Sequence, residues 1–179
     1  MQFATVKDVL HSFVARLVRK ASIVDADTFK SAMRRLAGCV TVIATEEDGK
    51  CYGFTATAVC SVCVCPPTVL IAVNKSVRTH QHIDRRGAFS INILADNQKG
   101  IAEHFAAKIE DKFKIGGYTL GATGMPLIDG AAVHLECSIQ RRISIGTHTV
   151  FVAHVTNIDT KAMAPLIYHD TKYGLVAHI

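Results

Sequence analysis

The feature that most constrains the fold of this chain is a change of hydrophobic period at Cys39. From there, apolar and β-branched residues alternate with polar ones in short runs, which is typical of β-strands. Strands are predicted over residues 39–45, 52–55, 68–73, 88–94, 133–143, 149–157 and 166–168. Two short helices, 79–86 and 97–106, are the predicted interruptions, ended by Gly87 and capped by Asp96 respectively. Many strands with few helical crossovers favour a mainly β, antiparallel barrel.

Three local patterns refine this prediction. Asp48-Gly49 indicates a hairpin turn between two of the strands. In strand 133–143, the polar residues His134, Glu136, Ser138 and Gln140 alternate with apolar ones, which predicts that one face of this strand lies in water. Residues 115–125 are rich in glycine and are the best candidate for a mobile loop.

The first part of the chain shows helical spacing instead. Apolar residues within 3–20 recur at helical intervals among basic ones, which predicts a helix packed on the domain or on a partner subunit, with a membrane-surface helix as the alternative. A second helix is predicted to be capped by Asp25 or Asp27 and to end at Gly38. We therefore expect a helical extension over residues 1–24 and one domain over residues 25–179.

Composition excludes several classes of protein. With 179 residues, 49% of them apolar, and a mean hydropathy of +0.25, the chain can build one domain with a sizeable core. No apolar run is long enough to span a bilayer, so no membrane partner is expected. The net charge of +5 is dispersed, and four Tyr without any Trp offer little for stacking bases, which argues against nucleic acid as a partner.

Cysteine usage bears on location and on metals. The chain has six cysteines, and residues 1–20 do not read as a secretory signal, so a reducing cytoplasm with free thiols is expected. The cluster Cys60-x-x-Cys63-x-Cys65 has no second ligand pair at zinc-finger spacing. We therefore expect no metal site.

A run of small and hydroxyl residues is the first candidate for ligand binding. It spans residues 53–62 and is followed by Pro66-Pro67. Thr55, Thr57 and Ser61 supply hydroxyls, whereas Ala56 and Ala58 leave the main chain uncovered, so that a flat or phosphorylated ligand can lie against backbone groups. A tight surface turn is the alternative interpretation.

The second candidate lies between a strand and a helix. Asn74 and Ser76 can hydrogen-bond the hydroxyls of a ribityl chain, and Arg78, together with Lys75, can neutralise a phosphate. Thr79 can assist with its hydroxyl at the helix N-terminus. A solvated loop with Thr79 as an N-cap is the alternative.

Two further segments complete the set. Phe105, after His104 at the end of a short helix, can pack against a flavin ring system or be an ordinary core phenylalanine. His148, in the turn Gly146-Thr147-His148 between two strands, can contact a nicotinamide or be a structural or surface histidine. The sequence contains no nucleophile-elbow motif, no glycine-rich phosphate-binding motif after a strand and no zinc-peptidase motif.

In order and spacing, these segments resemble the short-chain flavin reductases, the small partners of two-component flavin monooxygenases. The resemblance covers residues 29–173 and includes the reductases that serve 4-hydroxyphenylacetate hydroxylation and pyrimidine breakdown, as well as a reductase of a cobalt corrinoid precursor. It rests on residues 29–43 and 53–62, Pro66-Pro67, Asn74-x-Ser76, Phe89-x-x-Asn92-x-Leu94, Gly124-x-Pro126, Leu135-x-Cys137, Gly146-x-His148 and Tyr173-Gly174. Cys63, Cys65 and Thr147 depart from the family pattern.

The resemblance implies an FMN-binding split β-barrel of Greek-key type that works as a homodimer. It implies FMN or FAD along Gly53, Phe54, Thr55, Ala56, Thr57, Ala58, Val59 and Ser61, along Asn74, Lys75, Ser76, Arg78 and Thr79, and around His104 and Phe105. It places NADH or NADPH near His148 and near Tyr168, His169 and Asp170. The expected activity is flavin reduction, with reduced flavin passing to a monooxygenase. Reduction of another acceptor such as a cobalt corrinoid, and flavin binding without catalysis, are the alternatives.

Little is then required of catalytic side chains, because the two cofactors carry the hydride transfer. We expect backbone N–H groups of residues 55–59 to bond the polar edge of the flavin. His148 is the one catalytic residue expected, and its role is to orient the nicotinamide rather than to act as an acid or base.

Overall fold

The computed structural model describes residues 24–177, which divide into two compact units between Leu36 and Ala37. In the first unit, α1 spans Ala26–Met33, so the helix ends before the predicted end at Gly38. The Asp25 carboxylate caps α1 by accepting the backbone N–H groups of Asp27 and Thr28 at 3.0 and 2.9 Å, which confirms Asp25 as the predicted cap. The helix predicted within residues 3–20 lies outside the described residues.

The second unit is built on a seven-stranded antiparallel sheet in the order β3-β2-β6-β9-β10-β5-β4, with small sheets β1-β11-β12 and β7-β8 beside it. The strands are β1 Gly38–Cys39, β2 Thr41–Glu47, β3 Lys50–Ala56, β4 Val59–Val64, β5 Pro67–Asn74, β6 Ala88–Ile93, β7 Tyr118–Leu120, β8 Pro126–Ile128, β9 Val133–Ile145, β10 His148–Thr160, β11 Ile167–His169 and β12 Lys172–Gly174. The helices are α2 Arg78–Arg86, α3 Lys99–Ala106 and a 3₁₀ turn Lys112–Ile115.

The connections between strands confirm the predicted split β-barrel. Strands β2–β3, β4–β5 and β9–β10 form hairpins, whereas β6 inserts between β2 and β9, and β10 returns to pair with β5. Strand β2 lies inside the sheet with apolar residues on both faces. Val42 and Ala44 pack in one core cluster with Phe105, and Ile43 packs in a second with Phe89.

Glycine turns occur where the sequence predicts them. Asp48 and Gly49, with φ of 53° and 75°, form the β2–β3 hairpin turn. Gly87 ends α2 in the left-handed conformation with φ of 70°. The prediction that Asp96 caps α3 is wrong. The helix begins at Lys99, and its N-cap residue is Gln98, whose side chain makes no capping hydrogen bond. Residues 115–125 are not simply a loop, because they contain β7.

The prediction of a wet face on β9 is wrong for the first half of the strand, although Gln140 farther along is exposed. His134 and Glu136 are buried, with 6% and 1% of their surface exposed. The chain between β7 and β9 covers this face and supplies partners: His134 Nε2 lies 2.8 Å from the Ile128 carbonyl oxygen. Glu136 accepts the N–H groups of Ala122 and Thr123 at 3.1 and 2.7 Å. Buried polar groups are tolerated when they are paired in this way.

Glu136 thereby determines the conformation of the loop between β7 and β8. Burial of its carboxyl opposes ionisation, but hydrogen bonds from Thr123, Asn157 and the backbone outweigh burial and lower its pKa. Gly121 approaches the carboxylate so closely that a Cβ there would lie 2.6 Å from it. A side chain at this position would displace Glu136 from its donors.

Candidate active site

A cavity of about 590 Å³ opens beside the β3 edge of the sheet, between β3, the start of α2, and the end of α3 with the chain that follows it. Of the residues predicted to bind a ligand, seven line it: Gly53, Phe54, Thr55, Ser76, Arg78, Thr79 and Phe105. The structure therefore brings parts of three separate sequence segments to one place.

The start of α2 forms one wall of the cavity and suits an anion. Asn74 Oδ1 accepts the backbone N–H of Ser76 at 2.9 Å, which turns the chain out of β5 into the helix. The N-cap residue is Val77, which makes no side-chain cap. The His80 N–H donates to the Val77 carbonyl oxygen at 2.9 Å, so the N–H groups of Arg78 and Thr79 are the ones that can face a ligand at the positive end of the helix dipole. Thr79, in this turn, is buried.

Arg78 brings a full positive charge to the same wall. Its guanidinium lies 5.8 Å from the centroid of the Tyr52 ring. Its Nη1 lies 3.4 Å from the Glu110 carbonyl oxygen and 3.6 Å from Glu110 Oε1. The arginine thus joins α2 to β3 and to the chain after α3. Sequence reasoning missed Tyr52 and Glu110, since neither belongs to a motif.

A second network holds α2 and Tyr52 in place. The His82 ring stacks on Tyr52 with centroids 3.4 Å apart and planes 9° from parallel. His82 Nδ1 lies 2.6 Å from Glu47 Oε2, and Arg85 donates to both oxygens of Glu47 at 2.7 Å. Hydrogen bonds from Arg85, then from His82, lower the pKa of Glu47 to about 2. Positions 78, 82 and 85 follow helical spacing, which is the signal that could have found this face.

The predicted residues on β3 serve packing as well as the cavity. At Gly53, a Cβ would lie 3.0 Å from the Phe105 ring and 3.1 Å from the Phe113 ring, so the small residue lets these aromatics approach the strand. Thr55 Oγ1 donates to the Ala102 carbonyl oxygen at 2.6 Å and ties β3 to α3. Its hydroxyl therefore already has a protein partner.

Phe105 satisfies both interpretations of its position. It is buried and packs edge to face with Phe113 at a centroid distance of 5.0 Å, as a core phenylalanine does, and it also lines the cavity. His104 does not line the cavity. Its Nε2 lies 2.8 Å from the Lys112 carbonyl oxygen and links α3 to the 3₁₀ turn.

Lys112 is a cavity residue that the sequence did not single out. Its ammonium donates to the Phe105 carbonyl oxygen at 2.5 Å, near the end of α3. Burial lowers its pKa, because removal from water disfavours the charged ammonium. This lysine belongs to no sequence motif, and its place in the cavity wall follows only from the way the surrounding segments pack.

The rest of the small-residue run lies outside the cavity lining: Ala56, Thr57, Ala58, Val59 and Ser61. Thr57 packs against β1, where a Cβ on Gly38 would lie 3.4 Å from the Thr57 Cβ. Gly38 in turn pairs with Tyr168 of β11. The hairpin that carries Tyr168, His169 and Asp170 is therefore a neighbour of the small-residue run, although neither lines the cavity.

His148 lies at the start of β10 and is exposed, with its Nδ1 3.0 Å from Thr147 Oγ1. Its distance in sequence from the flavin segments suggested a separate role, but this reason fails, because His148 is the register partner of Asn74. Lys75 adds further contacts between the end of β5 and the β9–β10 hairpin. Its ammonium donates to Ser144 Oγ and to the Gly146 carbonyl oxygen at 2.7 and 2.8 Å, and it does not line the cavity.

Residues 24–177 contain no group of three or more His, Cys, Asp and Glu side chains that is placed to hold a metal ion. Cys60, Cys63 and Cys65 are exposed on or beside β4. Within the same range, no helix has the length and apolar character needed to cross a membrane.

Comparison with known proteins agrees with this fold and cavity. Residues 33–177 match the flavin reductase like domain. The chain is 34% identical over 161 residues to the FMN reductase (NADH) RutF of Ancylobacter novellus, with 88% of this chain and 89% of the relative covered. These matches define an oxidoreductase class. The protein belongs to the flavin reductase family.

Solved structures show the same architecture. The NADH:FAD oxidoreductase SgcE6 of Streptomyces globisporus, in complex with NAD and FAD fragments, superposes with a TM-score of 0.81 at 31% identity, covering 88% of this chain and 98% of the other. The styrene monooxygenase flavin reductase of Pseudomonas putida gives a TM-score of 0.78 at 26% identity, with coverages of 84% and 98%.

Proposed function

We propose that this flavin reductase uses NADH or NADPH to reduce FMN or FAD and that the reduced flavin passes to a partner monooxygenase. The observation that carries the proposal is the meeting of Arg78, Ser76 and the uncapped start of α2 with the aromatic wall at Phe105. The names of the relatives support each part: one is an FMN reductase that uses NADH, and another serves styrene monooxygenase.

The residues present fit a flavin nucleotide. A phosphate needs a cation and N–H donors, and the Arg78 guanidinium with the backbone N–H groups of Arg78 and Thr79 at the start of α2 can supply both. An isoalloxazine ring needs an apolar wall, which Phe105 and Val77 offer. A cavity of about 590 Å³ is of the size found for small-molecule sites.

The protein's contribution is to bind and orient. When bound, the flavin supplies the hydride acceptor. In our proposal Arg78 and Ser76 fix the phosphate end. Of residues 55–59 only Thr55 lines the cavity, so the backbone contact with the polar edge of the ring is proposed there. The exposed imidazole of His148 donates a hydrogen bond to the nicotinamide carboxamide, and Tyr168, His169 and Asp170 are the other residues proposed for the nicotinamide nucleotide. Phe105 and Phe113 keep water from the inner wall.

Two measurements test this function. The first is NADH oxidation with FMN, FAD and riboflavin as acceptors, for which we expect turnover. Binding of flavin without turnover would instead support a non-enzymatic flavin protein, and turnover only with a corrinoid would support the other acceptor.

The second measurement places the phosphate. Arg78→Ala should weaken FMN by about tenfold to a hundredfold, because a charge-assisted contact contributes about 1.5–3 kcal/mol, and should leave riboflavin nearly unchanged. Arg86→Ala, at the other end of α2 and paired with Glu46 at 4.0 Å, is the matched control. Equal losses for both ligands would place Arg78 away from the phosphate.

We also propose a homodimer in a reducing cytoplasm. Strand β4 is an edge strand that exposes Val62 and Val64, which supports a second copy as its cover. All six cysteines are free thiols, as expected in a reducing compartment.

A further inference from the structure

Glu110 faces the phosphate-binding wall from across the cavity. It lies in the chain between α3 and the 3₁₀ turn, and it lines the cavity together with Arg78. Its carboxylate Oε1 lies 3.6 Å from Arg78 Nη1, and its carbonyl oxygen lies 3.4 Å from the same nitrogen. The Glu110 side chain is 83% exposed and that of Arg78 is 49% exposed, so the contact is wet and exchangeable.

Arg78 is the cavity-lining cation that contacts Glu110, and it can change partners. Lys108 and Lys112 also line the cavity, and Lys112 donates to the Phe105 carbonyl oxygen. Arg85, outside the lining, is committed to both oxygens of Glu47. The carboxylate of Glu110 engages Arg78 through one nitrogen of a guanidinium that has five N–H donors. A phosphate can engage two nitrogens at once, which makes it the stronger partner.

We infer that Glu110 competes with the phosphate of the flavin for Arg78 and so sets how weakly the phosphorylated end is held. This inference rests on the proposed function, which needs the reduced flavin to leave after each turnover. A carboxylate and a phosphate repel each other at this range, so Glu110 must withdraw when the phosphate arrives. The Glu110 side chain is exposed enough to move away, and water then solvates its carboxylate. Glu110 therefore discriminates against phosphorylated flavins relative to riboflavin.

The test is Glu110→Gln, which keeps the shape and the backbone contact but removes the charge. We expect the Kd for FMN, measured by flavin fluorescence quenching, to fall about two- to fivefold, the range of an exposed ion pair. The Kd for riboflavin should not change. Glu103→Gln, an exposed glutamate paired with Lys99 at 3.6 Å, removes the same charge outside the cavity lining and should change neither Kd.

A double-mutant cycle separates this inference from the proposed function. In an Arg78→Ala background, Glu110→Gln should no longer tighten FMN, because the competition acts through Arg78. If Glu110→Gln leaves FMN unchanged while Arg78→Ala weakens it, the phosphate site stands and the inference is overturned. If Arg78→Ala also leaves FMN unchanged, the phosphate site itself is wrong. Equal tightening of FMN and riboflavin likewise overturns competition for the phosphate.

Discussion

The two ends of the seven-stranded sheet differ in what covers them. At the β3 end, α2, α3 and the chain directly after α3 enclose the cavity. The chain between β7 and β9 continues this cover over the middle strand β9, where it buries the Glu136 carboxylate. At the β4 end, apolar side chains are bare, and Val62 and Val64 are 51% and 88% exposed. The last residues of β9 are also uncovered, with Ile143 and Ile145 46% and 60% exposed.

The comparison shows what hydrophobic patterning means. Apolar residues at both ends indicate surfaces that are removed from water, but the pattern does not say which chain removes them. At the covered end, the same chain supplies the cover and pairs the polar groups. At the bare end, a second copy is the cover that we propose. The difference between the ends is therefore testable by mutation.

The largest effect should come from Glu136, on the covered part of the middle strand β9. Glu136→Ala should lower the free energy of unfolding by about 3 kcal/mol, because it leaves the N–H groups of Ala122 and Thr123 without their acceptor and opens a cavity. Urea denaturation gives the value. Glu103→Ala, at an exposed glutamate, should cost less than about 0.5 kcal/mol. Similar losses for the two variants would mean that Glu136 contributes nothing special.

A substitution at the β4 end should change the dimer dissociation constant and not the free energy of unfolding. Val62→Asp should raise the dimer dissociation constant about tenfold to a hundredfold, because it would bury an unpaired charge between two copies. Sedimentation equilibrium measures it. Ile115→Asp, at an isoleucine that is 54% exposed at the other end of the molecule, is the matched control. A wild-type protein that stays monomeric at all concentrations would refute the dimer.

His148 tests whether the nicotinamide site is separate from the cavity. His148→Ala should raise the KM for NADH a few-fold to about tenfold, since one hydrogen bond contributes about 0.5–1.5 kcal/mol, and should leave the flavin Kd nearly unchanged. Steady-state kinetics and flavin titration measure the two quantities. His154→Ala, on the same strand, serves as control. A loss of flavin affinity with an unmoved KM would assign His148 to the flavin site or to the fold.

The smallest effect should be one of pH at the covered end. The pKa of Glu47 in the folded protein is about 2, below its ordinary 4.5, so folding favours the ionised carboxylate. This contribution is complete above about pH 4.5 and is lost as the pH falls toward 2. Glu47→Gln should therefore flatten the acid limb of the unfolding curve and leave its shape near neutrality unchanged. An identical acid limb in the variant would show that the Arg85 and His82 contacts do not persist in solution.

Local signals account for the parts of the fold that sequence predicted. The turn at Asp48-Gly49, the end of α2 at Gly87 and the cap at Asp25 each depend on the conformational preferences of one or two residues. The long strands were predicted from the alternation of apolar and polar residues, which is also a property of neighbouring residues in the sequence. Among the residues proposed to bind a ligand, Ser76, Arg78 and Thr79 lie within the stretch 76–79, so their common place at the cavity wall is also local.

The parts that sequence reasoning missed depend on contacts between distant segments. Glu136 is buried because donors come from the β7–β8 loop, and its place in an alternating strand pointed instead to solvent. Tyr52 and His82 meet only because α2 packs on β3. Glu110 reaches Arg78 from a segment with no motif. These contacts depend on how distant segments are arranged in the fold, and the alternation of residues within one strand does not predict that arrangement.

The clamp that Lys75 makes on the β9–β10 hairpin has a consequence for how this enzyme can change over evolution. The backbone N–H of Lys75 bonds to the Thr147 carbonyl oxygen at 2.9 Å, and its ammonium holds Ser144 and Gly146. The segment that leads into Arg78 and the hairpin that carries His148 are thereby joined into one body. A substitution in this clamp, unlike one at His148 itself, would move the supports of both proposed nucleotide sites together. Drift toward a new reductant by way of the clamp would then be inherited together with an altered hold on the flavin.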